Sequence, residues 1–352
     1  MKDSVSLCRL ILLLTFLTLL PWGGGGSLGV CFAQSPYLQA VDEYVPAPGQ
    51  FVNTLPVTTA DDTPQTVAQK CTEAIAGDYT SQSHGMITLG AWGGYVTFHF
   101  DHPVVNVPGE RDFAVFGNAF ENNAEPAIIW VSVDRNQNGM PDDEWYEIKG
   151  SEYDNAATIH NYELTYTYSG EKQAVAWTDN QDNSGSISRN KYHKQEYFPL
   201  WLTSKGTLTL TGCRLPDNAS QVDNGEGGLM WILPAYEYGY ADNQPNSNRE
   251  GCSVDLSWAV DSKGQSVTLP YVDFIRCQNA MNQTCGSIGE TSTEIIGAED
   301  LHPDATTAIS PIVSDVLTPS VYAIHGERLT FPRRGINIIR YADGKTKKII
   351  IK

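Results

Sequence analysis

The sequence predicts an all-β protein: a β-sandwich or jelly roll with one N-terminal helix and a small C-terminal β module. Residues 94–100, 112–116, 207–211 and 272–276 are short segments rich in β-branched and aromatic side chains. They alternate in polarity and are bounded by Gly, Pro, Asn or Asp, which is the signature of half-buried strands. Two further strand-like runs, 128–133 and 145–148, flank a polar loop. Only one segment carries a convincing helical pattern, and many short strands with one or two helices point to a sandwich or jelly roll.

In chain order, residues 1–33 come first. Lys2 and Arg9 precede an apolar run from Leu10 to Leu20 and a small-residue stretch that ends in Cys31-Phe32-Ala33, the pattern of a secretory signal peptide. Its apolar run is too short for a comfortable bilayer span. A lipoprotein signal would use Leu28-Gly29-Val30-Cys31, where Val30 is bulkier than the small residue such a signal prefers. No other stretch is long and apolar enough to cross a membrane, so an integral membrane protein is not expected.

Residues 34–302 form the expected sandwich domain, long enough to bury a large core. Its helix starts at Thr63, which can cap, with Pro64 in the first turn. Val67, Ala68, Cys71, Ala74 and Ile75 form the apolar stripe and Gly77 ends it. Residues 303–320 are poor in aromatics and rich in small residues and Pro, as in a linker. In residues 321–352 the charge inverts, with eight basic residues against Glu327 and Asp343. Two apolar-basic strands there flank Ala342-Asp343-Gly344, a hairpin turn. So small a hairpin is marginal alone and suits reading by a partner.

The chain carries a formal charge of −18. Removal of the leader takes Lys2, Arg9 and Asp3, leaving 21 of 23 basic and 40 of 41 acidic residues, or −19. Such a surface argues against nucleic acid as a partner. It suits an extracellular protein that holds divalent cations, although solubility alone also explains it. Five cysteines remain after the leader. In an oxidising compartment Cys277 with Cys285, and Cys213 with Cys252, are candidate bridges, leaving Cys71 free.

The most specific motif is residues 134–144. Side chains of Asp134, Asn136, Asn138 and Asp142 occupy positions one, three, five and nine around Gly139, with the carbonyl of Met140 at position seven, the spacing of a calcium loop. Position twelve is Trp145, not the bidentate Glu of a helical calcium hand. Asp143, Glu144 or a carboxylate from another strand must therefore complete the shell. Ca2+ is the expected cofactor, in the role of a staple between strands.

Two polar, aromatic segments are candidate ligand sites: residues 235–246, with Tyr238, Tyr240, Asp242 and Asn243, and the stretch from Trp177 through Tyr192. Stacking aromatics beside amides and carboxylates suit sugar rings and other flat amphipathic ligands. Alternation of Tyr236, Tyr238 and Tyr240 along one face of a strand suits plain packing better than a ligand site. Residues 177–185 have the length and polarity of a surface loop or a second calcium site.

Catalytic signatures are thin. There is no Gly-x-Ser-x-Gly or His-Glu-x-x-His, and Gly344-Lys345-Thr346 lacks the upstream glycine of a phosphate loop. His99 and His102 are close in sequence but would lie on opposite faces of a strand. Carboxylates are numerous enough to allow a glycosidase pair, yet no two stand out.

Two resemblances extend this reading. Residues 112–120, 125–134 and 254–261, with their Ser132-Val133-Asp134 turn and the Trp-bearing strand after it, resemble bacterial cell-surface β-sandwich proteins with a galactose-binding-like jelly roll. That resemblance implies binding, of the kind seen in carbohydrate-binding modules, without naming a ligand. The tail, with Val321-Tyr322-Ala323-Ile324-His325-Gly326-Glu327-Arg328-Leu329 and Gly335-Ile336-Asn337-Ile338-Ile339-Arg340, resembles the C-terminal sorting domain of type IX secretion cargo in Bacteroidetes. It implies passage through outer-membrane secretion machinery and display or release at the cell surface. Asn337 stands where that pattern more often has an aromatic.

The expected function is thus a secreted, surface-displayed, non-catalytic protein that binds a glycan or another small-molecule nutrient and is stabilised by calcium. A structural or adhesive surface protein, and an accessory that captures a ligand such as a corrinoid for an outer-membrane transporter, are the alternatives. A hydrolase ranks last.

Overall fold

The computed structural model of the chain describes residues 34–286, 288–306, 320–323, 328–329, 333, 335–340 and 346–351. The expected signal segment, most of the expected linker and the Asp343-Gly344 turn lie outside them. Fourteen strands make up the main body: β1 (Ala40–Val45), β2 (Tyr95–His99), β3 (Phe113–Phe116), β4 (Ala127–Ser132), β5 (Trp145–Ile148), β6 (Ile159–Thr167), β7 (Val175–Asp179), β8 (Ser184–Ile187), β9 (Thr207–Arg214), β10 (Tyr240–Ala241), β11 (Ser253–Val254), β12 (Ala259–Val260), β13 (Phe274–Asn279) and β14 (Gly297–Asp300), with shorter two- and four-residue pairs between them. The protein is an all-β sandwich, with one α-helix among the described residues, as the sequence predicts.

The helix α1 spans Pro64–Ile75, with the Thr63 side chain accepting from Thr66 N and Thr66 Oγ1 accepting from Thr63 N. That reciprocal pair satisfies two donors the helix start would otherwise leave open. Val67, Ala68, Cys71 and Ile75 are buried against the main core.

The large sheet has the order β1-β2-β13-β4-β5-β12, and β10 joins β4 beyond the end of β5. All its pairings are antiparallel. Alternation sorts its two faces. On one face Val96, Phe98, Ile129, Val131, Tyr146, Ile148, Ile275 and Cys277 join the main core together with α1, β3 and β14. The three-stranded sheet β11-β3-β14 supplies the second layer of this sandwich.

The other face of the large sheet is polar and aromatic. Direct pairing sets Thr97, Arg276, Trp130 and Glu147 in one row, Tyr95, Gln278 and Ile128 in the next, and Ser132 beside Phe274 and Trp145 in a third. Against one end of this face lies the four-stranded sheet β8-β7-β6-β9, which has its own core around Trp92, Tyr162, Tyr166, Tyr197 and Phe198. The contact is close at Gly212: Gln278 Nε2 donates to the carbonyls of Gly93 and Thr211, and a Cβ on Gly212 would lie 2.4 Å from Gln278 Oε1.

Residues 177–185 lie at the surface, as expected, but as a hairpin rather than an irregular loop. They belong to the β7–β8 hairpin, whose turn is held by Asp179 Oδ1 accepting from Gln181 N and Asn183 N. The expected bridges Cys277–Cys285 and Cys213–Cys252 are also absent. Cys71, Cys213, Cys252, Cys277 and Cys285 are all free thiols and all buried. At the C-terminus, β15 (Ser320–Ala323), β16 (Arg328–Leu329), β17 (Gly335–Arg340) and β18 (Thr346–Ile351) form a sheet of order β16-β15-β17-β18. Arg340 pairs with Thr346, so β17 and β18 make the predicted hairpin. Asn337, on β17, is fully buried and bonded to the backbone of Arg333 through both its amide atoms.

Candidate ligand cleft and candidate metal loop

The polar face of the large sheet and the edge of β6 and β9 enclose a cleft of about 890 Å³. Its walls carry Tyr95, Trp130, Trp145 and Tyr153 with Arg276, Glu147, Glu163, Asn161, Asn180 and His160. Volume and lining fall within the range of small-molecule sites, in which aromatic surface provides area and a few polar groups fix orientation. Arg276 is the organising cation. Its guanidinium lies 4.3 Å from the Tyr95 ring centroid and 4.2 Å from that of Trp145, while Nε donates to Thr97 Oγ1 and Nη2 to Glu43 Oε2 at 2.7 Å. Such a stack holds both rings upright on the sheet.

On the same face Glu147 is buried, and burial pushes its carboxyl up to about 8. No hydrogen bond to its side chain is found among the described residues. A carboxylate oxygen of Glu147, a ring nitrogen of His160 and Sγ of Cys213 all lie within 4.8 Å of one another. Burial, and then the charge of Glu147, drives the Cys213 thiol far above its ordinary range. A second three-donor group, Glu125, Asp242 and Glu294, with Asp242 and Glu294 buried and Glu125 half-buried, lies outside the cleft lining. Burial raises all three carboxyls, and the mutual charges of Glu294 and Asp242 raise Glu125 further.

Of the six residues expected to bind a ligand, none lines the cleft. Tyr240 is 3% exposed and its hydroxyl accepts from Glu152 N at 2.9 Å. Asp242 and Asn243 are buried too. Asp242 accepts from Asn118 N, Ala119 N and Glu294 N, and Asn243 bonds to the backbone of Tyr236 through both amide atoms. These three are structural because the polar groups of an irregular segment must be satisfied wherever it is enclosed. Tyr238 packs on Trp258, Trp177 lies over Gly185 in its hairpin, and Tyr192 stands 72% exposed beside Lys191. The structure does not bring the six together.

The sequence signal for the cleft is the composition of the opposite strand face. Tyr95-x-Thr97, Trp130-x-Ser132, Trp145-x-Glu147 and Arg276-x-Gln278 set large aromatic rings among the polar and charged groups of a face that solvation alone would leave without them.

The loop 134–144 gathers its predicted oxygens. Asp134 Oδ1 accepts from Asn138 N at 3.1 Å and Oδ2 from Gly139 N at 2.8 Å, while Asn136 Nδ2 and Asn138 Nδ2 each donate to Asp142 at 3.0 Å. Gln137 and Gly139 adopt left-handed conformations that turn the chain around this point. Asp134, Asn136, Asn138 and Asp142 thus face one another, a donor set that fits a hard cation once the two amides present oxygen. The Met140 carbonyl accepts from Asp142 N, and Glu144 is engaged elsewhere, accepting from Tyr146 OH at 2.6 Å. The acid that reaches the loop from outside it is Asp273, the residue just before β13, which accepts from Asp134 N at 2.8 Å. Burial is the main cause of its raised pKa, with the charges of Asp134 and Asp143 adding.

Compared with known proteins, the chain matches no protein-family model and no curated protein. Among the described residues no helix is long and apolar enough to cross a membrane.

Proposed function

We propose that this is an exported, surface-displayed binding protein that takes a glycan or another amphipathic small-molecule nutrient in the cleft between the large sheet and β6–β9, and that calcium in the 134–144 loop staples β4 to β5 beside it. The observation that carries the reading is the aromatic wall: Tyr95 and Trp145 held by Arg276, with Trp130 and Tyr153 around them, in an opening of about 890 Å³. Ring faces of this kind stack on the apolar faces of sugars or flat cofactors, and Glu163, Asn161 and Asn180 offer hydrogen bonds to their rims. Export rests on the leader-like segment, and surface display on the resemblance of the C-terminal strands to a sorting domain.

The experiment is a glycan-array and cofactor screen with and without calcium. Saturable binding that is lost in Trp145→Ala supports the cleft. Binding that is unchanged in Trp145→Ala, or turnover without saturable binding, overturns it.

A further inference from the structure

We propose that Glu147, His160 and Cys213 form a transition-metal site at the floor of the cleft, of the kind that takes Zn2+ or Co2+. The three donors would hold the metal whichever organic ligand the cleft accepts. Three strands contribute one donor each: β5 the carboxylate, β6 the imidazole and β9 the thiol. Carboxylate, imidazole and thiolate together are a borderline-to-soft set that suits zinc rather than calcium.

Backbone geometry assembles the set. In the β6–β9 ladder Tyr162 pairs with Gly212 and Ile159 with Arg214, so His160 and Asn161 together face Cys213 across a β-bulge. Asn161 takes a left-handed φ of 55° to make the extra residue fit. Bulges of this kind re-aim side chains, and here His160 Nδ1 comes to 3.7 Å from Cys213 Sγ. Two ligands on a tetrahedral zinc, at about 2.3 Å for sulfur and about 2.0 Å for nitrogen, are roughly 3.5 Å apart.

His160 Nε2 lies 3.1 Å from the carbonyl of Tyr153. With its proton donated there, Nδ1 keeps a lone pair for the metal, the outer-shell arrangement that orients histidine ligands. Glu147 supplies the independent sign. It is 7% exposed, no hydrogen bond to its carboxylate is found among the described residues, and it faces the same cleft.

A carboxylate beside a buried thiol disfavours a thiolate nucleophile, whereas a divalent cation stabilises both anions together. No fourth His, Cys, Asp or Glu among the described residues joins the group. A zinc held this way keeps a position open to the cleft, where water or a donor atom of a bound ligand would complete the tetrahedron.

The test is cobalt titration of the full chain under argon, in buffer with excess calcium to saturate the 134–144 loop. One equivalent should give the near-ultraviolet thiolate-to-cobalt charge-transfer band, and zinc should bleach it. The band should be lost in Cys213→Ser and in His160→Gln, and persist in Cys252→Ser and Asp134→Ala. His160 is exposed, so His160→Gln is the variant expected to keep its fold, checked by circular dichroism. Absence of the band in the native protein, or its survival in folded His160→Gln, overturns the site.

Discussion

Asp273 accepts the backbone N–H of Asp134 through Oδ2 at 2.8 Å, which ties the first residue of the polar loop to the residue that precedes β13. The loop is therefore anchored on a third strand as well as on β4 and β5. If calcium binds there, it binds only the folded loop, and the melting temperature rises with its concentration. At calcium a hundred times its dissociation constant the gain is about 2.7 kcal/mol. Calorimetry should show that rise in the native chain, no calcium response in Asp134→Ala and a weaker one in Asp273→Asn. A melting point indifferent to chelation in the native protein rejects the loop as a calcium site.

Tyr240 and Trp145 separate structure from recognition. The Tyr240 hydroxyl serves Glu152 N in a buried setting, so Tyr240→Phe should cost about 1 kcal/mol of stability and leave ligand affinity unchanged. Trp145 is only partly buried and forms one side of the Arg276 stack, so Trp145→Ala should weaken a cleft ligand by tenfold or more, about 1.4 kcal/mol. Urea denaturation alongside titration calorimetry measures both. The reverse pattern, affinity lost with Tyr240→Phe and kept with Trp145→Ala, refutes the cleft as the binding site.

The buried carboxyls of Asp242 and Glu294 make stability depend on pH. Burial raises Asp242 to about 7 and, with the charge of Asp242, Glu294 to about 8. Below the ordinary carboxylate range both folded and unfolded chains are protonated and no difference arises. As pH rises the unfolded chain releases its protons first, so stability falls until pH passes the native values near 8. A tenfold difference in proton affinity between the folded and unfolded chains corresponds to about 1.4 kcal/mol, so the loss between pH 5 and 8 is on the order of a few kcal/mol. Glu294→Gln keeps an oxygen for the hydroxyls of Thr88 and Ser292, which bond Glu294 at 2.9 and 3.0 Å, but cannot ionise. Its melting temperature should fall less steeply over this range, and a slope as steep as that of the native chain would falsify the assignment.

Much of the scaffold was legible locally. Thr63, Pro64 and the Val67–Ile75 stripe set the helix because capping and helical periodicity are short-range properties, and residues 134–142 showed their convergence because a loop's own spacing creates it. The cleft was not legible in the same way. Glu147, His160 and Cys213 lie on three strands brought together by sheet order and by a bulge at Asn161, and neither is written in any one segment. The tyrosines near 240 misled for a related reason. An aromatic, amide-rich stretch looks alike in sequence whether it faces solvent or is folded inward, and here Asp242 and Asn243 turn inward to cap backbone N–H groups at residues 118, 119 and 236.

Gly212 controls how closely the four-stranded sheet approaches the large one. A Cβ there would meet Gln278 Oε1 at 2.4 Å, and Gln278 cannot retreat without releasing the carbonyls of Gly93 and Thr211 that its Nε2 holds. Gly212→Ala should thus destabilise the protein by about 1–3 kcal/mol through overpacking. Because Gly212 adjoins Cys213 and both line the cleft, it should weaken the ligand as well. Gln278→Ala relieves that crowding but removes the side-chain donor from the buried Gly93 carbonyl and the part-buried Thr211 carbonyl, at a cost of about 1–3 kcal/mol. In the double variant the first penalty disappears, since the added methyl then has space, so the two losses should not add. Chemical denaturation of the four proteins measures the coupling, and strictly additive losses would show that the sheets are not held apart by this contact.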